Sequence, residues 1–308
     1  MVRRLLAAGA PPARIRCLVR DPVRAASFGL PPSSLVRGDL GVAGGLVDLP
    51  TALRDVSVVV HLAGSLKGYR RAHFDAVNVG GTQELVAAVA AHAPRAHFIC
   101  VSSLAAAGPS VDGRGSAVHP DAAKPVSWYG DSKRQGELAV VRSPLAWTIV
   151  RPPVIYGPAD AATRLLFAQA NAPLVVVPRR AAPLSIVHVD DVVDALLAAV
   201  VVRPTGAILP LDGPDRTDTH ALLRAIAVAC GRRARLLPVP LLLARVAAHA
   251  SDAFAALRRQ AGFFSRDKLR EIGACGWVAD GGPVAAALGA RPRIALADGL
   301  AAVAVAAR

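Results

Sequence analysis

Five short runs rich in Val, Ile and Leu punctuate the first half of this 308-residue chain, at 14–19, 34–36, 57–62, 96–102 and 147–150. Helical patterns lie between them, the clearest being "HFDAVNVGGTQELVAAVAAH" (73–92) and "YGDSKRQGELAVV" (129–141). Strands that are apolar along their whole length need cover on both faces, and the intervening helices supply it. The alternation therefore predicts an α/β fold around a doubly wound parallel sheet. After Pro158 the pattern loosens into helices with short strands near 174–177, 185–189 and 207–211. The expected division is a dinucleotide-binding domain over 1–158. A region mainly forming a substrate-binding cap follows over 159–308, with some segments returning to the core.

Composition narrows the functions. With 53% apolar and 19% charged residues the chain has ample material for a large core. The formal charge of +14 suggests a polyanion partner, but its basic residues are scattered singly or in pairs such as Arg70-Arg71 and Arg179-Arg180. No basic run and few aromatic platforms accompany them, so no nucleic-acid partner is expected. Four cysteines (Cys17, Cys100, Cys230, Cys275) are far apart and read as reduced core residues of a cytoplasmic protein. The histidines show no metal-ligand spacing, so no metal is expected. The most apolar stretch, "LLPVPLLLARVAAHASDAFAALRR", is interrupted by Arg245, His249 and Asp252. It predicts a buried helix at 241–257 and no stable membrane insertion.

Ligands of a doubly wound sheet bind where its strands end. The first run ends "LVRDP", placing Arg20 where an arginine would meet a 2′-phosphate, and Asp21 one step later. This favours NADP, with NAD as the alternative. "VRGDL" (36–40) ends the next run with Asp39 and Leu40; Asp39 suits an adenine amino group, although Gly-Asp is also ordinary turn chemistry. "VVVHLAG" (58–64) finishes with Leu62, Ala63 and Gly64, small enough at its tip for close approach of a ligand.

The next pair is more specific. "FICVSSLAAAG" ends a strand with Ser102-Ser103, and "WYGDSK" places Tyr129 four residues before Lys133. On a helix these side chains share a face. A neighbouring cation favours the phenolate, and a tyrosine so tuned can move a proton near neutrality. A serine opposite it can hold a substrate carbonyl or alcohol oxygen. Chance alone would supply roughly 0.04 such Tyr/Lys pairs in a chain of this composition.

These residues resemble the extended short-chain dehydrogenase/reductase superfamily, of the NAD-dependent epimerase/dehydratase type, over essentially the whole chain. The resemblance extends to "NVGGT" (78–82), "RPPVIYGP" (151–158) and "VHVDDV" (187–192). It implies a Rossmann-type fold with Tyr129 as acid/base, Ser103 orienting the substrate, Lys133 lowering the tyrosine's pKa and holding the nicotinamide ribose, and Asn78 steadying the network. It also implies Pro152 among the cofactor contacts and Val154 beside the substrate. On local grounds Asn78 reads as readily as a helix cap, and Asp190-Asp191 read mainly as one.

The resemblance also makes the opening "MVRRLLAAGA" unusual. In the family a strand and a G-x-x-G-x-x-G turn precede a helix ending in this way. Here Met1 falls inside that helix, and Gly80-Gly81 and Gly281-Gly282 have the wrong spacing to replace the turn. The implied gap is on the order of twenty residues, its strand lying between "IRCLVR" and "VVVHLAG". The expectation is a start assigned too late; the rival is a truncated, non-catalytic cofactor-binding relative.

Departures from the nucleotide-sugar pattern point to the substrate. Val154 stands where such enzymes commonly carry an asparagine, Leu184-Ser185 where they often carry Arg-Asp, and only "LAAAG" follows the serine. The pattern is similar to dihydroflavonol reductases and 3β-hydroxysteroid dehydrogenases. The expected function is hydride transfer between NADP(H) and a ketone or secondary alcohol of a fairly hydrophobic small molecule. A nucleotide-sugar epimerase or dehydratase is the alternative, and a homodimer is consistent with the family.

Overall fold

A computed structural model describes the chain except residues 43, 47, 67, 159, 243–265 and 307–308. Its strands are β1 (Cys17–Val19), β2 (Leu35–Arg37), β3 (Val58–His61), β4 (His97–Val101), β5 (Ala146–Arg151), β6 (Val154–Tyr156), β7 (Val175–Pro178), β8 (Pro183–Leu184), β9 (Ile186–His188), β10 (Ala207–Pro210), β11 (Thr217–Asp218) and β12 (Leu236–Val239). The central sheet is parallel, in the order β10-β5-β4-β3. Its register aligns Val60 with Ile99 and Ile99 with Thr148.

Strand β4 shows why the apolar runs lack alternation. Phe98 and Cys100 pack with Leu85, Val86 and Val89 of the helix Thr82–His92. Ile99, between them, packs with Leu196 and Ala199 of the helix Val189–Val202. Successive side chains point to opposite faces, and both faces are covered. Each such buried side chain contributes roughly 2 kcal/mol relative to exposure.

The opening residues form a short helix, Val2–Ala7, and the chain turns at Gly9 with φ +86°. Met1 packs with Val58 and Val60 against the sheet, while Arg4 pairs with Asp190 and Asp194. Strands β1 and β2 form a separate parallel pair. Among the described residues, no strand pairs with the second edge of β1 or of β3.

Several expectations need correction. The helix expected over 73–92 is interrupted: Arg71–Phe74 is α-helical, Asp75–Gly81 is a π-helix, and α-helix resumes at Thr82. After Pro158 the sheet content is richer than expected, because β8 and β11 have two residues each and carry no readable periodicity. Strand β12 occupies the start of the apolar stretch read as helical, and pairs with β7. Residues 241 and 242 are helical; the rest of the helix expected at 241–257 lies outside the described residues. Cys275 is exposed, so it is not a core residue. The helix Val189–Val202 is capped by the His188 side chain rather than by Asp190-Asp191. Asp191 instead accepts the backbone N–H groups of Arg293 and Ile294, at 3.0 and 3.1 Å.

Candidate active site

Strands β3, β4 and β5 end side by side, and the helix Trp128–Val141 lies across β4 and β5 near those ends. Ser127 caps the helix, its Oγ accepting the Gly130 N–H at 3.0 Å. Two glycines bring the helix close to its neighbours. A Cβ on Gly130 would stand 2.4 Å from the Ala105 carbonyl oxygen, and one on Gly136 would stand 2.6 Å from that of Asn78. Real Cβ atoms do not approach so closely, so only glycine lets the helix settle onto the turn after β4 and onto the π-helix.

This seating puts Tyr129 beside Ser103, whose hydroxyl is near enough to lower the phenol's pKa. Ser103 is itself fixed as the cap of the Leu104–Ala107 turn, its Oγ accepting the Ala105 N–H at 3.1 Å. The Phe74 ring stands 6.3 Å from the Tyr129 ring, tilted by 59°. Lys133 follows one turn later, buried, with Nζ donating to the Val101 carbonyl at 2.9 Å. A methyl group on Gly64 would lie 3.2 Å from Asn78 Oδ1 and 3.6 Å from Lys133 Nζ. Ser103, Tyr129, Lys133, Asn78 and Gly64 therefore come from four separate segments to one place.

Asn78 is fully engaged. Its Oδ1 accepts the Ser65 N–H at 2.7 Å, and its Nδ2 donates to the Ser65 carbonyl at 3.0 Å and to Ser132 Oγ at 2.9 Å. It clamps the loop after β3 to the tyrosine-bearing helix. The wide π turn carries it there, a geometry that often marks functional sites.

The electrostatics correct one expectation. Lys133 was expected to lower the Tyr129 pKa. Instead, burial dominates and pushes it up to about 12; the Ser103 hydroxyl lowers it, and the Glu271 charge raises it. The phenol therefore holds its proton at neutral pH. His61, ending β3, was not anticipated. Its Nε2 lies 2.9 Å from Thr82 Oγ1, and burial, with the charge of Lys133, pushes its pKa down to about 3. A neutral imidazole is thus kept beside the buried ammonium.

The other expected contacts are distributed differently. Leu62, Ala63 and Gly64 are exposed at the tip of β3. Arg20 and Asp39 line an open cleft of about 350 Å³ together with Arg37, Gly38, Gly45 and Asp48. Arg37 was missed, though it ends β2 much as Arg20 follows β1. Leu40 is buried in the core with Leu85, and Pro152 is buried with its carbonyl accepting the Leu104 N–H at 2.8 Å. Val154 is 42% exposed on β6. Leu184 and Ser185 are buried, and Ser185 Oγ accepts the Ala279 N–H at 3.0 Å, so neither presents a polar grip.

Whether these residues suit a dinucleotide can be judged at two places. At the strand ends, Lys133 has one acceptor among the described residues, leaving two ammonium N–H donors. Ser102, next in sequence after the Val101 that accepts from Lys133, has a buried Oγ with no partner among the described residues. At the cleft, Arg20 and Arg37 each contribute a guanidinium-bearing side chain to the lining, and guanidinium groups suit a phosphate. Both places fit the group. Among the described residues no cluster of three metal-ligating side chains occurs.

A parallel sheet with a Ser/Tyr/Lys group at its carboxyl edge defines a Rossmann-type short-chain dehydrogenase/reductase architecture. The model of the NAD dependent epimerase/dehydratase family matches residues 1–208, and the chain belongs to that family. It is 33% identical over 293 residues to the ceramide reductase of Caulobacter vibrioides (strain NA1000 / CB15N), covering 93% of this chain and 84% of that one. The crystal structure of gox2253 is similar with a TM-score of 0.72 at 24% identity, covering 97% of this chain and 92% of that one. MoeE5 in complex with UDP-glucuronic acid and NAD has a TM-score of 0.72 at 22% identity, covering 99% and 93% respectively. At these identities the two structures speak for the fold.

Proposed function

We propose that the protein is an NADP-dependent oxidoreductase that reduces the ketone of a hydrophobic, lipid-like small molecule. The observation that carries this reading is Ser103 standing beside Tyr129 at the sheet edge, with Lys133 on the same helix face. The relative named ceramide reductase supports a reducible long-chain amide lipid as the substrate class. Reduction by hydride requires an electrophilic carbon, so the keto form of such a lipid is the natural candidate.

In this reading the Ser103 hydroxyl donates to the substrate carbonyl oxygen and holds it beside Tyr129. When bound, a nicotinamide cofactor provides hydride-transfer chemistry at this edge. Tyr129 gives its phenolic proton to the oxygen as negative charge develops there, a contribution typically of 10²- to 10⁴-fold. Lys133 offers its remaining N–H donors to ribose hydroxyls and keeps positive charge near the phenolate that forms. Arg20 and Arg37 would meet a 2′-phosphate, which is the reason to prefer NADP to NAD. The partner is a small molecule, and the compartment proposed is the cytoplasm. Among the described residues no helix is long and apolar enough to cross a membrane.

The test is to incubate the purified protein with NADPH and a keto-ceramide in detergent micelles, following nicotinamide absorbance and product mass. Consumption of NADPH with gain of two hydrogens supports the reading. Epimerisation of a UDP-sugar without any ketone reduction would sink it.

A further inference from the structure

The first turn of the helix carrying Tyr129 is held from the far end of the chain. A helix start leaves several backbone N–H groups without intrahelical partners. Here Ser127 satisfies the Gly130 N–H. The Trp128 N–H donates to Asp267 Oδ1 at 2.8 Å, and the Tyr129 N–H is near enough to that carboxylate to help hold its charge. Ser127 Oγ in turn donates to Glu271 Oε1 at 2.6 Å. Asp267 and Glu271 stand one turn apart on the helix Arg266–Ile272, so both carboxylates face one way. Their side chains are only 10% and 12% exposed.

That helix is anchored in turn. Trp277 Nε1 donates to the Glu271 carbonyl at 2.9 Å, and Trp277 is bridged to both Ser110 and Leu184. Two carboxylates at the positive end of a helix are also favoured by its dipole. Most helix caps are local, within a few residues. This one spans about half the chain, and it acts on the residue whose placement matters most.

We propose that Asp267 and Glu271 are positioning residues for Tyr129, clamping the helix start so that its phenol stays against Ser103. The proposal rests on Tyr129 being the proton donor. Asp267 supplies the placement through the backbone, and Glu271 adds negative charge that strengthens the phenol's hold on its proton. Among the described residues, the charged groups on the two helices include Lys133 one turn along from the phenol, Glu271 and Asp267 from the clamping helix, and Lys268 and Arg270 paired to those carboxylates. Displacement by about 1 Å can cost on the order of 100-fold in rate, so a loosened clamp should be read in kcat before it is read in KM.

The experiment uses the whole protein with the variants Asp267→Ala, Asp267→Asn and Glu271→Gln, and Tyr129→Phe as reference. In ketone reduction, Asp267→Ala is expected to lower kcat by roughly 30-fold with KM within about twofold, and Asp267→Asn, which keeps an acceptor, to recover most of the loss. Glu271→Gln is expected to move the alkaline limb of the profile to lower pH. Unchanged kcat and an unchanged pH profile in all three variants would overturn the clamp while leaving ketone reduction standing. Should the wild type reduce no ketone, the clamp is read directly from the Tyr129 resonance in protein labelled at the tyrosine ring carbon, where there are only three tyrosines to resolve. A shifted Tyr129 titration in Glu271→Gln then supports the clamp; an unmoved resonance and titration overturn it.

Discussion

Arg151 and Glu137 form a two-point ion pair with both side chains 0% exposed, Nε to Oε1 at 2.8 Å and Nη2 to Oε2 at 2.6 Å. Arg151 ends β5, Glu137 lies two turns beyond Tyr129 on its helix, and Arg151 Nη1 also donates to the Ser116 and Val118 carbonyls at 3.1 and 2.7 Å. One guanidinium therefore joins the central sheet, the helix and the loop after Gly108. Every acceptor is paired, which is what allows two charges to stay out of water.

Removing one partner should leave the other charged and buried. Arg151→Met is expected to destabilise the fold by about 3 to 5 kcal/mol, whereas Arg151→Met with Glu137→Met should recover most of that loss. Urea midpoints for the two variants check this. A single variant within about 1 kcal/mol of wild type would show that the pair is not the staple described.

In the proposed reaction Tyr129→Phe removes the proton donor and little else. The expected result is a fall in kcat of about 10²- to 10⁴-fold with cofactor affinity within twofold. The pH dependence carries a sign. Burial raises the Tyr129 pKa to about 12, so the proton-donating form persists through neutral pH and is lost as pH rises toward that value. Reduction should therefore be flat near neutrality and fall only in strong alkali, and oxidation of the alcohol should rise with pH. A reduction rate that falls between pH 6 and 8 would contradict this ordering.

The two arginines at the cleft predict cofactor preference. Replacing Arg20 or Arg37 by alanine should weaken NADPH binding by about tenfold each, as expected for loss of a charge-assisted hydrogen bond, and leave NADH within twofold. Fluorescence titration with both cofactors measures it. Equal losses for NADPH and NADH would remove the case for a 2′-phosphate.

His61 makes a prediction about acid stability. Its pKa is about 3 in the fold against an ordinary 6.5, so the unfolded chain binds a proton that the folded chain refuses. Stability is complete above 6.5 and declines as pH falls toward about 3, with this group contributing up to about 1.4 kcal/mol per pH unit. His61→Gln should shallow the decline, read from urea midpoints between neutral pH and 4. An identical slope would mean that other groups carry the acid response.

Composition and order alone determined the α/β class, the parallel strands β1 to β5, and the linear positions of Ser103, Tyr129 and Lys133. They could do so because apolar runs and the four-residue helical spacing are local properties, written in consecutive residues. The tertiary structure decided the rest. Asn78 clamps Ser65 to Ser132 only because the chain widens into a π-helix, and Gly80-Gly81 in the sequence did not announce that turn. Arg37 joins Arg20 because β1 and β2 pair. The rise in the Tyr129 pKa reflects burial and the charge of a carboxylate 142 positions away at Glu271, and the lysine four residues along announces neither. Desolvation and charge act through space, so the proton affinity of a residue belongs to the fold rather than to its neighbours in the chain.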